Sequence, residues 1–262
     1  MSSARTATPR PTDIYFFATC VVDQFFPGAG MDAITLLERQ GIRVHFPDEQ
    51  TCCGQPAYTS GFPDEARKVA AHQLTLFPEA WPVVVPSGSC AGMMKHHYPT
   101  LFARDPVRKA QAEALSARVY ELTDFLVNVL NFKPEDCGSD CTVVLHTSCS
   151  ARREMGVHLT GRQLLGDLVK VTVAQQDHES ECCGFGGTFS IKQPEISGAM
   201  VEDKVKALKA TGAERVVSAD CGCLMNILGH AAWKDAQEGR STPSLPGEHI
   251  ASFLLRRTGG AQ

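Results

Sequence analysis

The chain has 262 residues, 43% of them hydrophobic, with a formal net charge of -4 and a sequence pI of about 6.1. That length supports a substantial core, as one large domain or two small ones. The acidic balance carries no basic stripe of the kind nucleic acid requires, and no run approaches the ~18 apolar residues of a membrane-spanning helix.

Met1 to Asp13 is polar and rich in Ser, Thr and Pro. It lacks the apolar core of a secretory signal and reads as a disordered leader, which makes the cytoplasm the expected compartment. Asp13 to Cys20 then reads as a buried strand ending at a cysteine, and Met31 to Gln40 as a helix stopped by Gly41. Ile42 to Phe46 is a short strand that leads into Cys52-Cys53-Gly54. A helix over Asp64 to Phe77 and a strand over Pro82 to Val85 follow, the latter just ahead of Cys90. Helices near Asp105 to Ala117 and Arg118 to Asn131 complete a first half, and a polar stretch with Pro134 and Gly138 is the natural linker. The series then repeats. Cys141 to Cys149 is a strand, Leu159 to Leu168 a helix and Val169 to Val173 a strand. Cys182-Cys183-Gly184, a helix over Ile196 to Ala210, a strand over Arg215 to Ser218 and then Cys221 follow. Gln237 to Gly247 is a loop and His249 to Arg257 a last helix. The expectation is an α/β chain of two homologous Rossmann-like halves, 14–133 and 141–257, related by internal duplication, each with a parallel sheet flanked by helices.

Eleven cysteines mark the duplication. Cys20, Cys52, Cys53 and Cys90 recur as Cys149, Cys182, Cys183 and Cys221, at offsets of 129, 130, 130 and 131 residues. Without an export signal, such clusters bind metal or do redox chemistry more often than they form disulfides. In parallel α/β folds ligands gather beyond the carboxyl ends of strands, where these cysteines fall. Thiolates are soft ligands suited to iron–sulfur clusters or zinc. Adjacent cysteines combined with ligands ~30–40 residues away are unlike the close C-x₂₋₄-C pairs of a zinc knuckle. A zinc site and a metal-free reactive dithiol stand as the alternatives.

The lone Cys, the Cys-Cys-Gly and the following Cys resemble the cysteine-rich, or CCG-domain, family of iron–sulfur oxidoreductases. The phrases Cys52-Cys53-Gly54-Gln55-Pro56-Ala57-Tyr58 and Cys182-Cys183-Gly184-Phe185-Gly186-Gly187 carry the likeness, which runs from about Ile14 to Leu255. The cysteine-rich subunit of heterodisulfide reductase and the iron–sulfur subunit of glycolate oxidase belong to that family. The nearest branch is the lactate-utilisation one, short members with two such halves and no ferredoxin-like domain. The resemblance implies two [4Fe-4S]-type clusters held by Cys20, Cys52, Cys53, Cys90, Cys149, Cys182, Cys183 and one of Cys221 and Cys223. It implies oxidation of L-lactate to pyruvate by an incomplete catalyst. The partners it implies are a ferredoxin-like iron–sulfur protein and a third small protein, and any contact with the inner membrane face would be made through them. The alternatives within the family are a thiol–disulfide reductase subunit and a subunit for glycolate or another 2-hydroxy acid. The family's Cys-x-x-Cys is absent: Met93 stands in half one, and Cys221-Gly222-Cys223 is a Cys-x-Cys. That departure weighs against the five-cysteine, non-cubane cluster of heterodisulfide reductase relatives.

Other candidates have plainer readings. Cys137 and Cys141 fall outside the repeat. His146 and His178 lie near enough to cysteines to approach a cluster from behind its ligands, with a surface or hydrogen-bonded role the commoner outcome, and His96 and His97 read as structural. Gly184-Phe185-Gly186-Gly187 lacks the spacing of a dinucleotide fingerprint.

Overall fold

The computed structural model describes residues 10–259. The expected leader lies outside the described residues as far as residue 9, and Asp13 itself opens the first strand. The first sheet consists of β1 (Asp13–Phe16), β2 (Arg43–His45), β3 (Val83–Val85) and β4 (Val119–Glu121). The second consists of β5 (Cys141–His146), β6 (Val171–Ala174), β7 (Arg215–Ser218) and β8 (Gly247–His249). The strand orders are β2-β1-β3-β4 and β6-β5-β7-β8, and every pairing is parallel. Two copies of one α/β arrangement thus make up the chain.

The sequence pattern gives three strands per half, and the structure adds a fourth. Val119, Leu122, Phe125 and Leu126 recur at helical spacing, so β4 reads as part of a helix over 118–131. β8 is a Gly-Glu-His stretch of low strand propensity. Both are strands because the buried edge beside them needs partners. The first bond is the same in each: Val83 N–H donates to the Arg118 carbonyl and Val216 N–H to the Pro246 carbonyl, each at 2.8 Å.

Alternation along the strands sorts side chains to two faces. Ile14, Phe16, Val84, Val143, Leu145 and Val217 point toward the other half. Tyr15, Phe17, Val83 and Val85 point to the outer helices of half one. The inward faces share one core with helices Pro27–Arg39, Val157–Gly166 and Ile250–Arg257 and with Leu122, Phe125 and Leu126. The helices are exchanged. Ile250–Arg257, which ends half two, packs on Pro27–Arg39 of half one, and the helical segment after β4 packs on Val157–Gly166. Arg257 also clasps the linker, donating to Asp136 Oδ2 (2.7 Å) and to the Ser139 carbonyl (2.6 Å).

β4 and β8 end alike. Glu121 accepts from the N–H of Thr123 (2.7 Å) and Asp124 (3.2 Å), and His249 Nδ1 accepts from Ala251 N–H (3.2 Å). Glu121 is fully buried and its second oxygen has no partner. Burial lifts its pKa from near 4.5 to about 8, against the lowering effect of those bonds. The native state therefore holds a proton that the unfolded chain releases near pH 4.5. The contribution of Glu121 to stability is fully present below that pH and lost as pH rises toward about 8, a fall on the order of 5 kcal/mol. Denaturant titrations across that range should show this fall, and Glu121→Gln should flatten it.

Candidate metal centre

The carboxyl ends of both sheets face one cavity of about 180 Å³, lined by Cys20, Cys52, Cys53 and Cys90 from one side and by Cys149, Cys182, Cys183, Cys221 and Cys223 from the other. Cys20 and Cys149 do not end strands, as the sequence suggests. Each follows a short turn after its strand and opens a helical segment. The Cys-Cys pairs occupy loops after β2 and β6. Cys90 lies in helix Gly88–Gly92 and Cys223 in helix Cys221–Gln237.

In half one the thiols form a chain of contacts, Cys20 to Cys52, Cys52 to Cys53 and Cys53 to Cys90. In half two the chain is Cys149 to Cys182, Cys182 to Cys183 and Cys183 to Cys223. The structural counterpart of Cys90 is thus Cys223. Both helices begin two residues before these cysteines, at Gly88 and Cys221, so the offset is 133 rather than the 131 that matching Cys90 to Cys221 gives. Cys221 stands where half one has Gly88 and packs with Val22 and Ala29 across the interface. Burial, then Asp220 and Cys90, pushes its thiol pKa up.

Each pair is held by the same devices. Gly54 N–H donates to Cys52 Sγ (3.4 Å) and Gly184 N–H to Cys182 Sγ (3.3 Å). Both glycines have positive φ, 86° and 84°. The carbonyl of the second cysteine accepts from Tyr98 Oη in half one (2.9 Å) and from Asn226 Nδ2 in half two (2.7 Å). The hydrogen bond with Cys20, then that with Cys53 and the nearby amides, hold Cys52 down to about 3. The matching bond with Cys52, followed by burial, drives Cys20 up, and Cys53 is raised by its bonds to Cys52 and Cys90 and by burial. Four adjacent thiols cannot all ionise side by side without a cation among them.

The halves meet at Asp220, which is 3% exposed. Its Oδ1 accepts from Ser87 Oγ (3.0 Å) and Ser89 N–H (3.1 Å), and its Oδ2 from Ser148 Oγ (2.8 Å). Ser87 and Asp220 each stand directly before their helix, so this bond joins two equivalent positions. Sequence reasoning passes over Asp220, for which the one signal is its place beside Cys221. It sets a surface or hydrogen-bonded role for His146 beside an approach to a cluster, and the first does not hold. His146 is fully buried, neither ring nitrogen has a hydrogen-bond partner, and its ligand atom lies within 4.8 Å of the Cys183 and Cys223 sulfurs. Burial, aided by Lys204, lowers its pKa to about 3. His178 instead pairs with Glu181 (2.9 Å), and His96 and His97 reach Glu154 of the other half (3.0 and 3.2 Å). Cys137 is exposed, and Cys141 lies by Arg257, so neither joins the cavity. Among the described residues no helix is long and apolar enough to cross a membrane.

A family model described as the CCG cysteine-rich domain matches residues 14–95 and 143–228, one segment per half. Lactate utilization protein A of Shouchella clausii is 44% identical over 244 residues, covering 92% of this chain and 98% of that protein. Its namesake in Bacillus subtilis is 43% identical over 244 residues, covering 93% and 99%. Among solved structures, a hypothetical protein from Helicobacter pylori superposes with a TM-score of 0.70 at 10% identity. The alignment covers 96% of this chain and half of that one, and the likeness is one of fold.

The two glycines differ in one respect. A Cβ on Gly184 would stand 2.7 Å from the Ser197 carbonyl oxygen, whereas one on Gly54 would stand 3.3 Å from that of Ala66. Gly54→Ala should cost about 1–2 kcal/mol for the left-handed backbone. Gly184→Ala should cost more, roughly 2–4 kcal/mol, because the backbone contact adds to that strain. Chemical denaturation of both variants checks the order.

Proposed function

The chain belongs to the CCG cysteine-rich domain family, beside the lactate utilization A proteins, and from that premise we propose that it is an iron–sulfur electron-transfer subunit acting with partner proteins to oxidise L-lactate to pyruvate. The observation that carries the reading is the pair of four-thiol chains facing one cavity. The donor set fits such a centre. It is all sulfur, it is flanked by backbone N–H groups, and the half-buried thiols open to the cavity while Cys53 and Cys183 close its floor.

In this reading Cys20, Cys52, Cys53 and Cys90 hold one centre, and Cys149, Cys182, Cys183 and Cys223 the other. Cys221 packs between the halves and holds neither. A four-thiolate iron–sulfur centre, once bound, supplies one-electron transfer. The chain's own part is to orient the thiolates through Tyr98 and Asn226 and to offer the Gly54 and Gly184 amides to sulfur. Asp220 keeps the two sets in one chamber. Uptake of electrons from lactate then falls to the partners, a ferredoxin-like iron–sulfur protein and a third small protein.

Purification without oxygen, with iron and sulfide assayed per chain, tests this directly. About eight irons per chain are expected, four for each cluster. Cys53→Ser and Cys183→Ser should each halve that number, and Cys221→Ser should leave it unchanged. Stoichiometric zinc without iron would overturn the reading in favour of a zinc protein. An iron-free chain whose Cys52 is alkylated rapidly would favour thiol–disulfide exchange, since a thiol held near 3 is a ready thiolate.

A further inference from the structure

The duplication places unlike residues at matched positions around the two thiol sets. Gly54 faces the Ala66 carbonyl as Gly184 faces that of Ser197, and helices Pro63–Gln73 and Pro194–Ala210 both begin at a proline 131 residues apart. In that register Gln73 of half one corresponds to Lys204 of half two. Both side chains are buried, at 0% and 2% exposure. Gln73 is neutral and donates to Thr51 Oγ1 (2.7 Å), next to Cys52. Lys204 brings an ammonium to the matching position, where it donates to the His178 carbonyl oxygen (2.7 Å) and has Glu181, then Cys183, Cys182 and Cys223, in electrostatic reach.

A second difference lies on the strands. The register pairs His146 with Ser218, and the equivalent position in half one is Phe17, whose N–H donates to the Val84 carbonyl (3.0 Å). Phe17 lies in the apolar cluster that contains Cys53, so half one presents a hydrocarbon there. Half two presents an imidazole with two unbonded nitrogens within 4.8 Å of Cys183 and Cys223. Four thiolates already satisfy a four-iron cluster, so the free role for His146 is to donate its N–H to a sulfur.

A buried cation and an N–H donor both favour the more negative, reduced form of a neighbouring cluster. We therefore propose, on the footing of the iron–sulfur reading, that Lys204 and His146 make the half-two centre the stronger oxidant of the two. An electron placed on the half-one centre would then settle on the half-two centre, the first being oxidised and the second reduced by one electron. The duplicated chain is in this sense a directional pair.

An anaerobic potentiometric titration of the full chain, followed by electron paramagnetic resonance, tests it. Two reduction waves are expected, with the upper one surviving in Cys53→Ser and lost in Cys183→Ser. Lys204→Gln, which copies half one, should lower the upper wave by about 59 mV, a tenfold change in a one-electron equilibrium, and leave the lower wave in place. His146→Phe should lower the same wave. Gln73→Lys should raise the lower one, and it decides the matter alone if Lys204→Gln does not fold. A single unsplit potential, an upper wave lost in Cys53→Ser, or waves that ignore Lys204 and Gln73 while both centres are loaded would overturn the inference. A chain that takes up no iron would defeat the iron–sulfur reading instead.

Discussion

The arrangement depends on a carboxylate that both halves bind. Asp220 stands directly before helix Cys221–Gln237, as Ser87 does before Gly88–Gly92, and it accepts three hydrogen bonds from Ser87, Ser89 and Ser148. A buried carboxylate is stable only when its oxygens are satisfied. The donors follow the carboxyl ends of β3 and β5, so satisfying Asp220 holds the carboxyl ends of the two sheets together at the cavity. The tight approach of Gly88 to Ala151, where a Cβ would stand only 2.4 Å away, follows from the same requirement.

The duplication is open to sequence reading because parallel strands and Cys-Cys-Gly loops impose strong local demands. Continuous apolar runs mark β1 and β5, and a glycine follows each pair because the backbone there is left-handed. What stays hidden depends on partners distant in sequence. β4 and β8 exist because β3 and β7 offer unpaired edges, which no three-residue window records. The place of Cys223 is obscured for a related reason. Counting from Cys183 favours Cys221, but the segment between the Cys-Cys pair and the third strand is longer in half two, and the turn that follows has the same length in both halves, which puts Cys223 in line with Cys90. His146 lies in an apolar strand and only the fold reveals that nothing bonds it.

The thiol chains also have a logic as a set. In half one the Cys52 thiol gives up its proton easily because Cys20 and Cys53 donate to it, and those two hold theirs for the same reason. One proton-poor sulfur among proton-rich neighbours is the compromise available to metal-free cysteines. A cationic centre relieves it, because each ligand can then be a thiolate and each displaced proton leaves with a net gain. On the iron–sulfur reading proposed above, the geometry suits the loaded protein.

The exchange of helices between the halves has a consequence for the order of assembly. Ala33, Leu36 and Leu37 of half one pack with Phe253 and Leu254, the latter among the last residues of the shared core to be synthesised. At ~5–20 residues per second, the ribosome needs on the order of ten seconds or more to add the more than two hundred residues that separate them. During that interval the nascent first half carries an apolar helix face whose partner helix has not yet been made. The cavity is lined from both halves, so neither cysteine set is enclosed until the second half has docked on the first.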